Sequence, residues 1–186
     1  MFEICPTLFV VPHVDAGDRT KWTESQDLRP LTELGRQQAA VLAAAVGTVD
    51  AVFSSPARRC TETVAPIASA SGVDIVELEE LREVTYVTEH ERWEAWKSDL
   101  PWPYVVAAAG VGRVALAVVE VARQVPSGRV VLCAHGDLVA PFAAFAAAYL
   151  GSPVPDPIAR GGCFEIEFVG ENAGVRARGA LLPKPA

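Results

Sequence analysis

Two histidines stand at the ends of apolar runs that read as β-strands. His13 closes Thr7-Leu8-Phe9-Val10-Val11-Pro12, and His135 closes Arg129-Val130-Val131-Leu132-Cys133-Ala134. Parallel sheets gather their strand C-termini along one edge, where ligands bind, so these two imidazoles are expected to meet over one substrate. Arg59 falls in the first turn of a helix that Ser55 caps and Pro56 opens. Free N–H groups and the positive dipole end favour an anion such as phosphate there, although Arg59, like Arg58, can equally be a solvated surface charge. Glu83 follows the strand around Ile75 and can serve as a general acid at the same edge. In a chain with 23 acidic residues, the plainer reading of any one of them is a solvated charge. His90, on a charged helix, reads as a surface residue.

The elements that must position these groups alternate between strand-like and helix-like patterns. A strand over 7–13 leads into a polar loop, 15–30, of the kind that carries function. Thr32 caps a helix over 33–46, and a strand over 51–54 runs into the Ser55-Pro56 helix, which ends near 71–72. A short strand follows at 74–77. From 85 to 103 the chain is polar, charged and aromatic and reads as a cap or rim, with Thr88 starting a helix over 89–97 that Pro101 and Pro103 end. Its rings, Tyr86, Trp93, Trp96, Trp102 and the adjacent Tyr104, can face a nucleotide or other organic leaving group, or simply pack the cap onto the sheet.

An amphipathic segment over 113–125, the strand ending at His135, a helix over 137–150, a Pro-rich loop and two strands, 163–169 and 175–181, complete the chain. The sum is a single α/β domain over 1–186. It is a three-layer α/β/α sandwich with a mainly parallel central sheet and an antiparallel edge strand.

Composition narrows the function. A formal net charge of -7 argues against a generic nucleic-acid binder, which would show a basic face. Only Lys21, Lys97 and Lys184 of the 16 basic residues are lysine. Arginine's planar fork suits phosphate and carboxylate, and the same bias also follows from a GC-rich genome. Cys5, Cys60, Cys133 and Cys163 show no CxxC spacing, so they read as buried thiols of a reducing compartment. With no signal-peptide pattern and no apolar stretch of spanning length, the expected location is the cytoplasm, away from membranes.

Four segments, in order, carry a resemblance: Pro12-His13-Val14, Ser54-Ser55-Pro56-Ala57-Arg58-Arg59, Leu81-Arg82-Glu83 and Ala134-His135-Gly136. With the stretch from Arg29-Pro30-Leu31-Thr32 to Ala39, they resemble the histidine phosphatase, or phosphoglycerate-mutase-like, superfamily. The length, and Asp15-Ala16-Gly17-Asp18-Arg19 after the histidine, look most like its small branch of phosphohistidine phosphatases.

The resemblance implies that His13 attacks phosphorus and carries a phosphohistidine. Arg59, His135 and Gly136 would bind phosphoryl oxygens, and Glu83 would protonate the leaving oxygen and then activate water. No metal or cofactor is implied, and the substrate is a small phosphorylated molecule or a phosphoprotein. Mutases of this fold are normally longer, which disfavours that activity.

The chain departs from the family pattern where an arginine usually precedes the nucleophile, for Pro12 supplies neither charge nor N–H. At about 1.5–3 kcal/mol per hydrogen bond to a charged group and about 1.4 kcal/mol per tenfold in rate, such a loss predicts turnover slower by roughly two to four decades. Arg19, Arg58, Arg160 or Lys21 can restore the charge, with Arg19 preferred because its loop starts beside His13. Two functions follow: a phosphatase weakened by Pro12, or a catalytically impaired member that binds a phosphorylated ligand or partner.

Overall fold

The computed structural model describes residues 6–83, 102–170 and 173–178. Six strands form one sheet in the order β3-β2-β4-β1-β5-β6. They are β1 (Thr7–Pro12), β2 (Ala51–Ser54), β3 (Ile75–Glu77), β4 (Arg129–Ala134), β5 (Cys163–Glu167) and β6 (Gly174–Arg178). The first four run parallel. β5 runs opposite to β1, and β6 pairs antiparallel with β5 at the edge. The reversed strand is thus one place in from the edge, and β6 closes the sheet as its hairpin partner.

The layers follow from alternation along the central strands. Leu8 and Val10 of β1 join Val130 and Leu132 of β4 on one face, under α3 (Trp102–Gln124) and α4 (Gly136–Leu150). Phe9 and Val11 join Val131 and Cys133 on the other, under α1 (Glu33–Val46) and α2 (Arg58–Ser71). A strand buried on both faces reads as one continuous apolar run, which is what β1 and β4 show. Burying each such Val, Leu or Phe side chain is worth about 1.5–3 kcal/mol.

α1 begins where its sequence predicts. The Thr32 Oγ1 accepts from the Gly35 N–H at 3.0 Å, and Gly47 ends the helix. This first turn is pressed against the loop that follows His13. A Cβ on Gly35 would lie 2.0 Å from the Asp15 carbonyl oxygen, while Thr32 Oγ1 donates to Asp15 Oδ2 at 2.6 Å. Gly35→Ala is therefore expected to destabilise the chain by about 1–3 kcal/mol, measured by thermal unfolding, because neither backbone can yield.

Two helix starts differ most from the sequence reading. α2 starts at Arg58 with Ala57 as its N-cap, not at Ser55-Pro56. The Ser55 Oγ accepts from Ala57 N at 3.3 Å inside a preceding turn and lies 3.1 Å from His135 Nε2, so its oxygen serves that turn and a histidine. α3 starts at Trp102, well ahead of the expected 113, because Pro103 falls in its first turn, where a missing N–H is harmless. Gly110 lets α3 approach α4 closely, since a Cβ there would meet Leu138 at 2.7 Å. The expected cap helix over 89–97, His90, and the end of the last strand beyond 178 lie outside the described residues. No described helix is long and apolar enough to cross a membrane.

Candidate active site

Strand register brings the two histidines together. Pro12 of β1 pairs with Ala134 of β4, so His13 and His135 leave the sheet side by side. His13 N donates to the Ala134 carbonyl at 2.9 Å, and the rings stand 5.5 Å apart at 74°. Pro12 fits its place because β5 pairs with β1 only as far as Val10, and no neighbour asks for its N–H.

His13 is held in one tautomer. A carbonyl can only accept, so the contact of Nδ1 with Val14 O at 2.8 Å places the proton on Nδ1 and leaves the Nε2 lone pair free. Burial lowers its pKa to about 4, with Arg59, Arg160 and Arg29 pushing the same way against the Val14 hydrogen bond. His135 is 2% exposed. Its Nδ1 accepts from Arg59 Nη2 at 3.1 Å, so Nε2 carries the proton and donates to Ser55 Oγ at 3.1 Å. Burial first, then Arg59 and His13, lowers its pKa to about 2.

These shifts set a pH dependence. The unfolded chain protonates both imidazoles below about 6.5, whereas the folded chain keeps them neutral to about 4 and about 2. The unfolded state binds more protons in that window, so stability falls as pH drops below 6.5. A falling melting temperature from about pH 7 to about pH 4.5 is expected, and the fall should be shallower in His135→Asn.

Arg59 is 1% exposed and no surface charge. Its Nη2 donates to Glu83 Oε2 at 3.0 Å as well as to His135, and its Nη1 donates to the Gln26 carbonyl at 2.5 Å. Its Nε is buried and has no partner among the described residues. Arg58, one position away, faces outward and pairs with Glu62. Glu83 also accepts from Arg19 Nη1 at 3.2 Å. Arg59 thus joins sequence-distant Glu83 and His135, and His13 meets the cluster through its edge-to-face contact with the His135 ring.

The cluster opens into a pocket of about 480 Å³ lined by His13, Arg19, Arg29, Glu83, His135 and Arg160, with Gly17, Asp18, Gly136 and Asp137 completing the wall. Gly136 is the first residue of α4, so the positive end of that helix faces the pocket. Burial, then the charge of Glu83, raises the pKa of Asp137. Arg59 lies behind Glu83 and His135, outside this lining. Arg19 and Arg160 reach the pocket. Arg58 and Lys21 do not line it, and Lys21 pairs instead with Asp18 at 3.9 Å.

Two residues of the site escaped the sequence reading. Arg29 lines the pocket, and Gln26 organises three arginines. Its Oε1 accepts from Arg29 Nε, its carbonyl from Arg59, and its Nε2 donates to the Arg19 carbonyl. Both belong to the polar loop flagged as functional, but nothing in local sequence separates them from its other polar residues.

A family model described as the histidine phosphatase superfamily (branch 1) matches residues 15–158, beginning two residues past His13. Among solved structures, YhfR of Bacillus stearothermophilus is 21% identical with a TM-score of 0.65, over 92% of this chain and 94% of that one. Phosphoglycerate mutase from Bacillus anthracis str. Sterne is 14% identical with a TM-score of 0.63, over 96% and 94%. A mycobacterial glucosyl-3-phosphoglycerate phosphatase is 22% identical with a TM-score of 0.54, over 94% and 96%. At these identities the likeness is one of fold. No curated protein matches the chain by sequence.

Proposed function

The chain belongs to the histidine phosphatase superfamily, and from that premise we propose that it hydrolyses a phosphomonoester, or a phosphohistidine, through a phosphohistidine intermediate on His13. The observation that carries this reading is the state of His13. It is neutral, fixed in the tautomer that frees Nε2, and set in an arginine-lined pocket beside His135. In the first step Nε2 attacks phosphorus, the N–P bond forms as the P–O ester bond breaks, and Glu83 protonates the leaving oxygen. Glu83 then takes a proton from water, which attacks phosphorus, breaks the N–P bond and releases inorganic phosphate.

Charge on the equatorial oxygens must be neutralised throughout. Arg59, His135, the Gly136 N–H and Arg19 are the groups we assign to them. Arg59 and Arg19 now hold the Glu83 carboxylate. An arriving phosphoryl group competes for both, and the freed carboxylate takes up the proton of the monoanionic phosphate ester, which it then gives to the leaving oxygen. The substrate is a small phosphorylated molecule or a phosphoprotein. A cytoplasmic setting fits the free, buried thiols of Cys60, Cys133 and Cys163.

A second reading, a member that binds a phosphorylated ligand without turning it over, draws support from Pro12 and from the engagement of Arg59 by Glu83. Phosphate release from a panel of phosphomonoesters separates the two. Release supports the enzyme, and bound phosphate without release on any member supports the binder.

A further inference from the structure

We propose that Arg29 supplies the phosphoryl-binding charge that Pro12 cannot, an inference that rests on the phosphatase reading of the pocket. Arg29 is only 7% exposed, yet it lines the pocket with His13 and His135. Its own partners are neutral. Nε donates to Gln26 Oε1 at 2.9 Å, and Nη1 donates to the carbonyls of Ala16 and Gly17 at 2.8 and 3.1 Å.

Its neighbours in the site are different. Arg19 and Arg59 hold Glu83, and Arg160 lies 3.5 Å from Asp15. Among the described residues no carboxylate pairs with Arg29, so its charge is the one left to be balanced. A buried cation without a counter-ion is unfavourable. Burial, followed by the nearby charges of Arg59 and Arg19, accordingly lowers the Arg29 pKa, and the Glu83 carboxylate offsets this only in part. An anion in the pocket relieves that penalty, and a phosphoryl group is the anion this pocket is built around.

Geometry gives Arg29 the pre-organisation such a role needs. Its backbone is extended before Pro30, which holds it there. Its guanidinium is tied to the turn at Ala16 and Gly17, just past His13, so it is fixed relative to the nucleophile. With Nε and Nη1 engaged, and no partner for Nη2 among the described residues, Nη2 is left for a nonbridging oxygen. The clamp therefore comes from the loop after β1 and not from the strand end. Arg19, 60% exposed in its side chain and paired with Glu83, adds less.

The test is inorganic phosphate binding by titration calorimetry, together with the phosphate-induced rise in melting temperature, which reads binding apart from basal stability. Arg29→Gln is expected to weaken phosphate binding by roughly ten- to a hundredfold, while Arg58→Ala, outside the pocket and paired with Glu62, changes it by less than about threefold. Adding Pro12→Arg to Arg29→Gln should restore at least about tenfold, a rescue that a purely structural role for Arg29 would not give. Unchanged binding in Arg29→Gln, or no recovery in the double variant, overturns the inference while the phosphatase reading stands. No phosphate binding by the unmodified chain overturns both.

Discussion

Replacing His13 with alanine is expected to abolish phosphate release, by on the order of a thousandfold or more against the unmodified chain. Among the described residues no other group can take its place. His135, the other imidazole among them, has both nitrogens engaged, by Arg59 and by Ser55, and is all but buried. Phosphate binding should survive His13→Ala largely intact, because the cations around the pocket remain. The measurement is inorganic phosphate release beside phosphate affinity. A rate that falls together with affinity would make His13 a ligand and not a nucleophile.

The second large effect is expected from Glu83→Gln. The change keeps the side chain's shape but removes its proton transfer, which is worth about 10²- to 10⁴-fold in rate. It also removes the charge that holds Arg59 and Arg19. Phosphate affinity should therefore rise as turnover falls, since two guanidinium groups are released to the ligand. The rate loss should be largest for alkyl phosphates and smallest for aryl phosphates whose leaving oxygen needs no proton. Equal losses for both classes would argue that Glu83 acts through Arg59 and not on the leaving group. A fall in phosphate affinity would contradict the competition between Glu83 and substrate.

Much of this was legible in the sequence because it is local or periodic. The apolar runs of β1 and β4 announce buried parallel strands, and Thr32 announces the start of α1 through its side-chain oxygen. Once both strands are placed in a parallel sheet, the meeting of His13 and His135 follows from register. Ser55 was harder, since its hydroxyl fits a helix cap by sequence and is drawn instead to the turn before α2 and to His135. Pro103 carries a related ambiguity, because a proline can end one helix or open the next, and here it stands in the first turn of α3.

The arginines show the limit most clearly. Arg58 and Arg59 are adjacent in sequence, and only the helix geometry decides that one meets Glu62 in solvent while the other is buried beside His135. Arg29 and Gln26 gain their places from carbonyls and guanidinium groups brought in by the fold, and local sequence carries no trace of such partners. Pro12 stands out in the sequence as a loss, but the placement of Arg29 in the pocket, on which its proposed compensation rests, becomes visible only in three dimensions.

Whether turnover passes through His13 is settled most directly by rapid acid-free quenching during hydrolysis, followed by mass spectrometry of the peptide that contains it. The expected result is a base-stable, acid-labile phosphate on His13 that forms within the first turnover, decays as inorganic phosphate appears and is absent from His13→Ala. Steady phosphate release with no phosphate on His13 at any time, or with the label on His135, would contradict it.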